Sequence, residues 1–150
     1  MKRIALAVLM GTLVIAPIAT ASDSSLKNAL KPYRNKLTSD IAYLASFSPP
    51  SKRAANSVSK KLSKIRTDLK GAQSAANKNQ ASSQKASTGR SEVLSGLSYA
   101  LTATADAKAS AAAAHSGKKS TARKDAKSER TEINKAIPKL EAGGKALGLF

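Results

Sequence analysis

The stretch Ala55-Asn56-Ser57-Val58-Ser59-Lys60-Lys61-Leu62-Ser63-Lys64-Ile65-Arg66-Thr67-Asp68-Leu69-Lys70-Gly71-Ala72-Gln73-Ser74-Ala75-Ala76 decides the fold. Its apolar residues Ala55, Val58, Leu62, Ile65, Leu69, Ala72 and Ala76 recur at alternating steps of 3 and 4. That is a heptad seam, which a helix carries as one stripe on one face. Upstream, Leu26, Leu30, Tyr33, Leu37, Ile41 and Leu44, spaced 4, 3, 4, 4 and 3, make a second stripe. Pro49-Pro50 separates the two, because proline lacks the amide hydrogen that a helix interior needs. Folding the chain back there into an antiparallel hairpin pairs residues whose numbers sum to about 99. Leu44 then faces Ala55, Ile41 faces Val58, Leu37 faces Leu62 and Leu30 faces Leu69. Tyr33 and Leu26 each fall one position away from Ile65 and Ala72.

The second half repeats the device. Ala86, Val93, Leu97, Ala100, Thr104, Ala107, Ala111 and Ala114 form a third stripe, widened by Leu94 and Leu101. His115-Ser116-Gly117-Lys118 reads as a turn. Ala122, Ala126, Ile133, Ile137, Leu140 and Leu147 form the fourth stripe. Pairing with sums of about 237 sets Ala111 against Ala126, Ala100 against Ile137 and Leu97 against Leu140. The pattern predicts an all-α protein: two helical hairpins forming an antiparallel four-helix bundle, with helices over about 24–47, 51–77, 84–115 and 119–142. Pro32 and Pro138 should each kink a helix or restart it as a first-turn proline. Gly143-Gly144 should fray the last turn. The third helix is lined by Ala, which allows close approach but buries little area. A slender, Ala-rich bundle of modest stability follows. No alternating run suggests a strand.

The first residues carry an address. Met1-Lys2-Arg3 is a short positive start, Ile4 to Ala21 carries no charge, and Ala19-Thr20-Ala21 is a small-x-small site. This order reads as a secretory signal peptide cut after Ala21, leaving residues 22–150 as one basic domain, secreted or periplasmic. An uncleaved anchor would need roughly 20 apolar residues, and Gly11, Thr12 and Pro17 interrupt this run. The mature chain then has 24 basic and 9 acidic residues, a net +15 over 129 residues. Leu, Ile, Val and Phe make up only 20 of the 129. That is the composition of disordered chains. It leaves part of the chain open to disorder, and only the stripes argue otherwise.

The charge is concentrated. Residues 51–70 carry seven basic groups against Asp68 alone, and residues 118–145 carry nine against four acidic ones. Residues 81–117 net only +1, so the third helix should be the central one. Two groups are the candidate anion-binding residues: Arg53, Lys60, Lys61 and Lys64 on the second helix, and Lys118, Lys119, Arg123, Lys124 and Lys127 at the start of the fourth. Glu129 falls on the apolar side of the fourth helix, opposite Lys108. This pair is expected to form a structural ion bridge at the edge of the core rather than a catalytic or metal-binding group.

Composition excludes much chemistry. Without Cys there is no disulfide framework, thiolate metal site or cysteine nucleophile. The single His115 sits beside a turn and reads as a polar helix end. Ser-x-x-Lys occurs four times, but the Ser-Asp-Asn and Lys-Thr-Gly companions of a serine acyl-enzyme are missing. Gly117-Lys118-Lys119-Ser120 lacks the upstream glycine of a phosphate loop, with Ala112 in its place. The carboxylates are scattered. No catalytic, cofactor-binding or metal-binding residue is assigned, and an enzyme is not expected.

The leading expectation is a non-enzymatic helical protein of the cell envelope or extracellular space. Its Lys/Arg faces would bind an anionic polymer or an anionic membrane surface. One alternative is a helix-mediated protein partner or self-association, with charge serving solubility. Another is binding of extracellular DNA, since the Lys-Ala-Ser-rich composition resembles the tails of linker-histone-like proteins. That resemblance covers no motif.

Overall fold

The computed structural model describes residues 19–149, so the apolar run of the proposed signal peptide and the terminal Phe150 lie outside the described residues. The described chain is an all-α bundle of α1 (Ala19–Leu30), α2 (Arg34–Ala45), α3 (Ala55–Lys78), α4 (Gln84–His115) and α5 (Lys119–Ala146). α1 and α2 are the predicted first helix, interrupted by a 3-10 turn over Lys31–Tyr33. Pro32 sits in the first turn of that segment, where its missing amide hydrogen costs nothing. The chain therefore restarts at Pro32, one of the two outcomes expected. The proposed cut after Ala21 falls inside α1 but leaves its buried residues Leu26 and Leu30 intact.

α4 is the central element. It packs most extensively on α5, then on α3, and also touches α2. Its buried side is Gly89, Val93, Gly96, Leu97, Ala100, Ala103, Ala107 and Ala111, almost all small. Small residues bring the α5 backbone close, and Ser110 Oγ donates 2.7 Å to the carbonyl of Ala122. Gly96 meets Leu140 and Val93 meets Gly143, within one or two residues of the expected register. Among the described residues the large apolar side chains that are fully buried are few: Leu26, Leu30, Leu44, Leu62, Ile65, Leu69, Leu97 and Ile133.

The first hairpin differs from expectation. α3 starts at Ala55 rather than residue 51, and residues 46–54 form an open connection instead of a tight turn at Pro49-Pro50. The contacts are Lys61 over Tyr43, Lys36 with Asp68, Tyr33 over Gly71 and Ser82 with Asp23. Their numbers sum to 104 or 105 rather than 99, a slip of about five residues along α3. The extra loop length allows it: Phe47 is buried after α2 ends, and the chain travels on before α3 begins.

α5 does not restart at Pro138, and it overturns the fraying expected at Gly143-Gly144. It runs through Pro138 and through Gly143-Gly144 to Ala146. Pro138 and Asn134 are both exposed, so water can serve the carbonyl that proline leaves unbonded. The glycines are buried, and they hold the helix rather than fray it because α4 presses on them. Two helix ends close on glycines with left-handed backbone, Gly117 (φ 75°) and Gly148 (φ 62°). Lys118 N donates to Ala113 O at 2.8 Å, and Leu149 N donates to Gly144 O at 2.9 Å. The second closure folds Leu149 back along α5, and Leu147 is buried.

α1 is tied down by Asp23. Its Oδ1 accepts from Ser82 N (2.8 Å), Ser82 Oγ (3.1 Å) and Ser83 N (3.3 Å), while Ser83 Oγ caps α4 by accepting from Ala86 N. These donors hold the Asp23 carboxyl down at about 2. Because the folded value lies below the ordinary 3.8, the stability this gives is present above pH 3.8 and lost as pH falls towards 2. Asp23→Ala is therefore expected to lower Tm at pH 5 and to lower it much less at pH 2, by thermal melts followed by circular dichroism. Equal losses at both pH values would show that charge on Asp23 is irrelevant.

Candidate functional site

The nine candidate cations sit on, or just before, two helices whose starts the fold brings to one end. α4 runs antiparallel to α3, since Lys108 Nζ donates 3.1 Å to Ser63 Oγ near its end and Arg90 Nε donates 2.7 Å to Ala76 O near its start. It runs antiparallel to α5 as well, with Ser110 meeting Ala122 and Ser128 Oγ donating 2.8 Å to Asp106 Oδ2. α3 and α5 are thus parallel, and both begin at the same pole of the bundle. Arg53, Lys60, Lys61 and Lys64 come from one, and Lys118, Lys119, Arg123, Lys124 and Lys127 from the other. All nine are exposed. Lys52, Arg66 and Arg130 are exposed in the same segments and extend the surface beyond the nine chosen from sequence.

The pole has little internal compensation. The ion pairs at hand, Lys36–Asp68 (3.5 Å), Lys135–Glu132 (2.7 Å) and Lys139–Glu92 (3.0 Å), involve none of the nine. Lys61 is partly engaged, with Nζ 3.8 Å from the Tyr43 ring centroid. Lys61 and Lys64 also face Asp40, a half-buried carboxyl pushed up by desolvation and by Asp68. Neither α3 nor α5 has an acidic residue in its first turn or a side-chain cap. Lys118 and Lys119 instead place positive charge at the positive end of the α5 dipole. That arrangement costs helix stability, typically about 0.3–1 kcal/mol per charge.

The expected Lys108–Glu129 bridge does not form. Lys108 is drawn to Ser63 on α3, while Glu129 lies on the opposite neighbour of α4, 1% exposed with Oε1 unpartnered. Burial pushes its carboxyl up to about 7, with Asp106 adding to the shift and Arg130 opposing it. The placement on the apolar side was legible; the partner was not, because a lysine side chain reaches either neighbour of its helix.

A second feature escaped the sequence. Between α2 and α5 runs an apolar groove of about 530 Å³, lined by Leu37, Ile41, Ala42, Ile137, Leu140 and Leu149 among others. The expected register pairs Leu37 and Ile41 with α3; both pack on the core along one side and remain partly exposed along the other. Among the described residues no group of His, Cys, Asp and Glu could hold a metal ion, and no helix is long and apolar enough to cross a membrane. No family model, curated protein or solved structure matches the chain.

Proposed function

We propose that this is a secreted or periplasmic, non-enzymatic protein that binds polyanions of the cell envelope or extracellular matrix through the basic pole of its bundle. The observation that carries the reading is the convergence of two weakly compensated cation groups, some 60 residues apart in sequence, on one end of the molecule. Cations set at helix starts, where they oppose the dipole, fit a surface completed by an external anion better than one serving solubility alone. The N-terminal apolar run supports delivery across a membrane.

The test is binding to heparin, duplex DNA and anionic vesicles across a salt series. Electrostatic binding should weaken steeply with salt for all three. Lys60→Gln/Lys61→Gln/Lys64→Gln should reduce affinity at low salt roughly tenfold to a hundredfold, at about 1 kcal/mol per cation near an anionic surface. On DNA it should flatten the log–log salt slope by about 2 to 3. Lys27→Gln/Lys31→Gln/Lys36→Gln, drawn from outside the two cation groups and with Lys36 already paired to Asp68, should cost less. Equal losses from the two triples, or no binding at low ionic strength, would refute the assignment of the pole.

A further inference from the structure

Glu129 stands among the cations of the basic surface and is buried away from them. It lies two residues after Lys127 and one before Arg130, both exposed, yet it is itself 1% exposed. Its Oε1 has no hydrogen-bond partner. A carboxylate held dry and unpartnered is unfavourable, so the site prefers the neutral acid and the folded group titrates at about 7. Few charges act on it. On α4, Asp106 adds to the shift, while Lys108 is drawn to Ser63. On α2, Lys36 and Asp40 turn to Asp68 and Lys64 on α3, Tyr43 lies under Lys61, and Arg34 lines the groove. Arg130 is the cation that favours the ionised form, and it belongs to the exposed basic surface. An anion pairing with Arg130 cancels that support, and its own charge opposes a carboxylate beside it. Both effects favour protonated Glu129.

We propose that binding at the basic pole is proton-linked through Glu129: the chain takes up a proton from solvent at this carboxyl as it binds a polyanion, holds the polyanion more tightly in mildly acidic surroundings, and loosens it as they turn alkaline. The inference rests on the binding reading above and adds its regulation. Reciprocity fixes the sign, because a ligand that favours the protonated form is itself bound better by that form. The coupling runs through Arg130. Arg123, an equally exposed cation on α5, is not among the groups that act on Glu129.

The probe is sulfated dextran, whose sulfate esters keep their charge from pH 5.5 to 8.5. His115, exposed at the pole end of α4, is replaced by Gln in every chain, because an imidazole there would also gain a proton. Asp40, pushed up beside Lys61 and Lys64, contributes alike to all of them. The His115→Gln chain should bind about fivefold more tightly at pH 5.5 than at pH 8.5 in the same salt. Adding Glu129→Gln or Glu129→Met, which fix the neutral state, should remove most of that ratio by restoring tight binding at pH 8.5. Arg130→Gln should shrink the ratio, whereas Arg123→Gln should weaken binding at both pH values and keep it. Calorimetry at pH 7 in phosphate and in Tris, buffers of different ionisation enthalpy, should show roughly a few tenths of a proton taken up per chain bound, and Glu129→Gln should abolish this uptake. Equal ratios with and without Glu129, binding being intact, overturn the linkage and leave the pole standing. No binding by any chain at pH 5.5 and low salt overturns both. Where circular dichroism shows that a Glu129 substitution disturbs folding, an unchanged ratio in Arg130→Gln, or no proton uptake by the His115→Gln chain, overturns the linkage.

Discussion

Stability is expected to fall as pH rises from 4.5 to 8, and Glu129→Met should remove most of that fall. The Glu129 carboxyl titrates near 7 in the folded chain against an ordinary 4.5, because burial penalises its charged form. A raised folded value means that the native state holds the proton more tightly. The associated stability is fully present below pH 4.5 and is lost as pH climbs through 7. One pKa unit is about 1.4 kcal/mol, so a rise from 4.5 to about 7 amounts to a loss of roughly 3 kcal/mol by pH 8. Methionine matches the volume without a charge. The variant should therefore be about 3 kcal/mol more stable than the parent at pH 8 and within about 1 kcal/mol of it at pH 4.5. Asp40, also pushed up, adds a change of the same sign to both proteins and cancels in the comparison. Urea unfolding at the two pH values, followed by far-ultraviolet circular dichroism, measures the difference. Parallel pH profiles would mean that Glu129 does not sit in a dry environment.

The second large effect has a sign that helix propensity alone gets wrong. Gly143→Ala replaces a poor helix former with the best one, a gain of about 1 kcal/mol on propensity. In the bundle a methyl group there would stand 2.6 Å from Val93 Cγ2, 2.7 Å from the Gly89 carbonyl oxygen and 2.8 Å from Val93 N. Two of the three obstacles are backbone, so α4 and α5 must separate along their closest contact. Overpacking of this kind costs about 1–3 kcal/mol or more, and a net loss of about 2 kcal/mol is expected. Gly71→Ala is the control. Its methyl group would meet only the Tyr33 ring, at 2.8 Å and beyond, and that half-exposed ring can swing aside. Gly71→Ala should be neutral or mildly stabilising. If both variants gain stability in urea, the α4–α5 approach is looser than described.

These two residues show how far the sequence could be read. Glu129 stands on an apolar stripe in the sequence, and its burial follows from the 3.6-residue period. Its isolation does not follow, since Lys108 had two neighbours to choose between. Gly143 reads locally as a helix breaker. Only the facing backbone of Gly89 and Val93 makes it a packing residue. The α4 boundaries match the expected 84–115 because Ser83 caps its start and the Gly117 turn closes its end. The α1–α3 hairpin was misplaced because its loop carries no such marker for length.

Periodicity determined that the chain is helical and how many apolar stripes it has, and the near-neutral charge of residues 81–117 placed α4 at the centre. Those properties depend on the order of residues within one helix, where geometry is fixed by 3.6 residues per turn. Tertiary structure decided the register of the first hairpin, the meeting of two cation groups at one pole, the open trough beside α2 and the dry isolation of Glu129. A stripe of Ala and Leu is nearly degenerate to sliding, since a shift of three or four residues sets a new apolar neighbour in place of the old. Loop length and a few close backbone contacts break that degeneracy, and they exist only once the helices have been laid against one another.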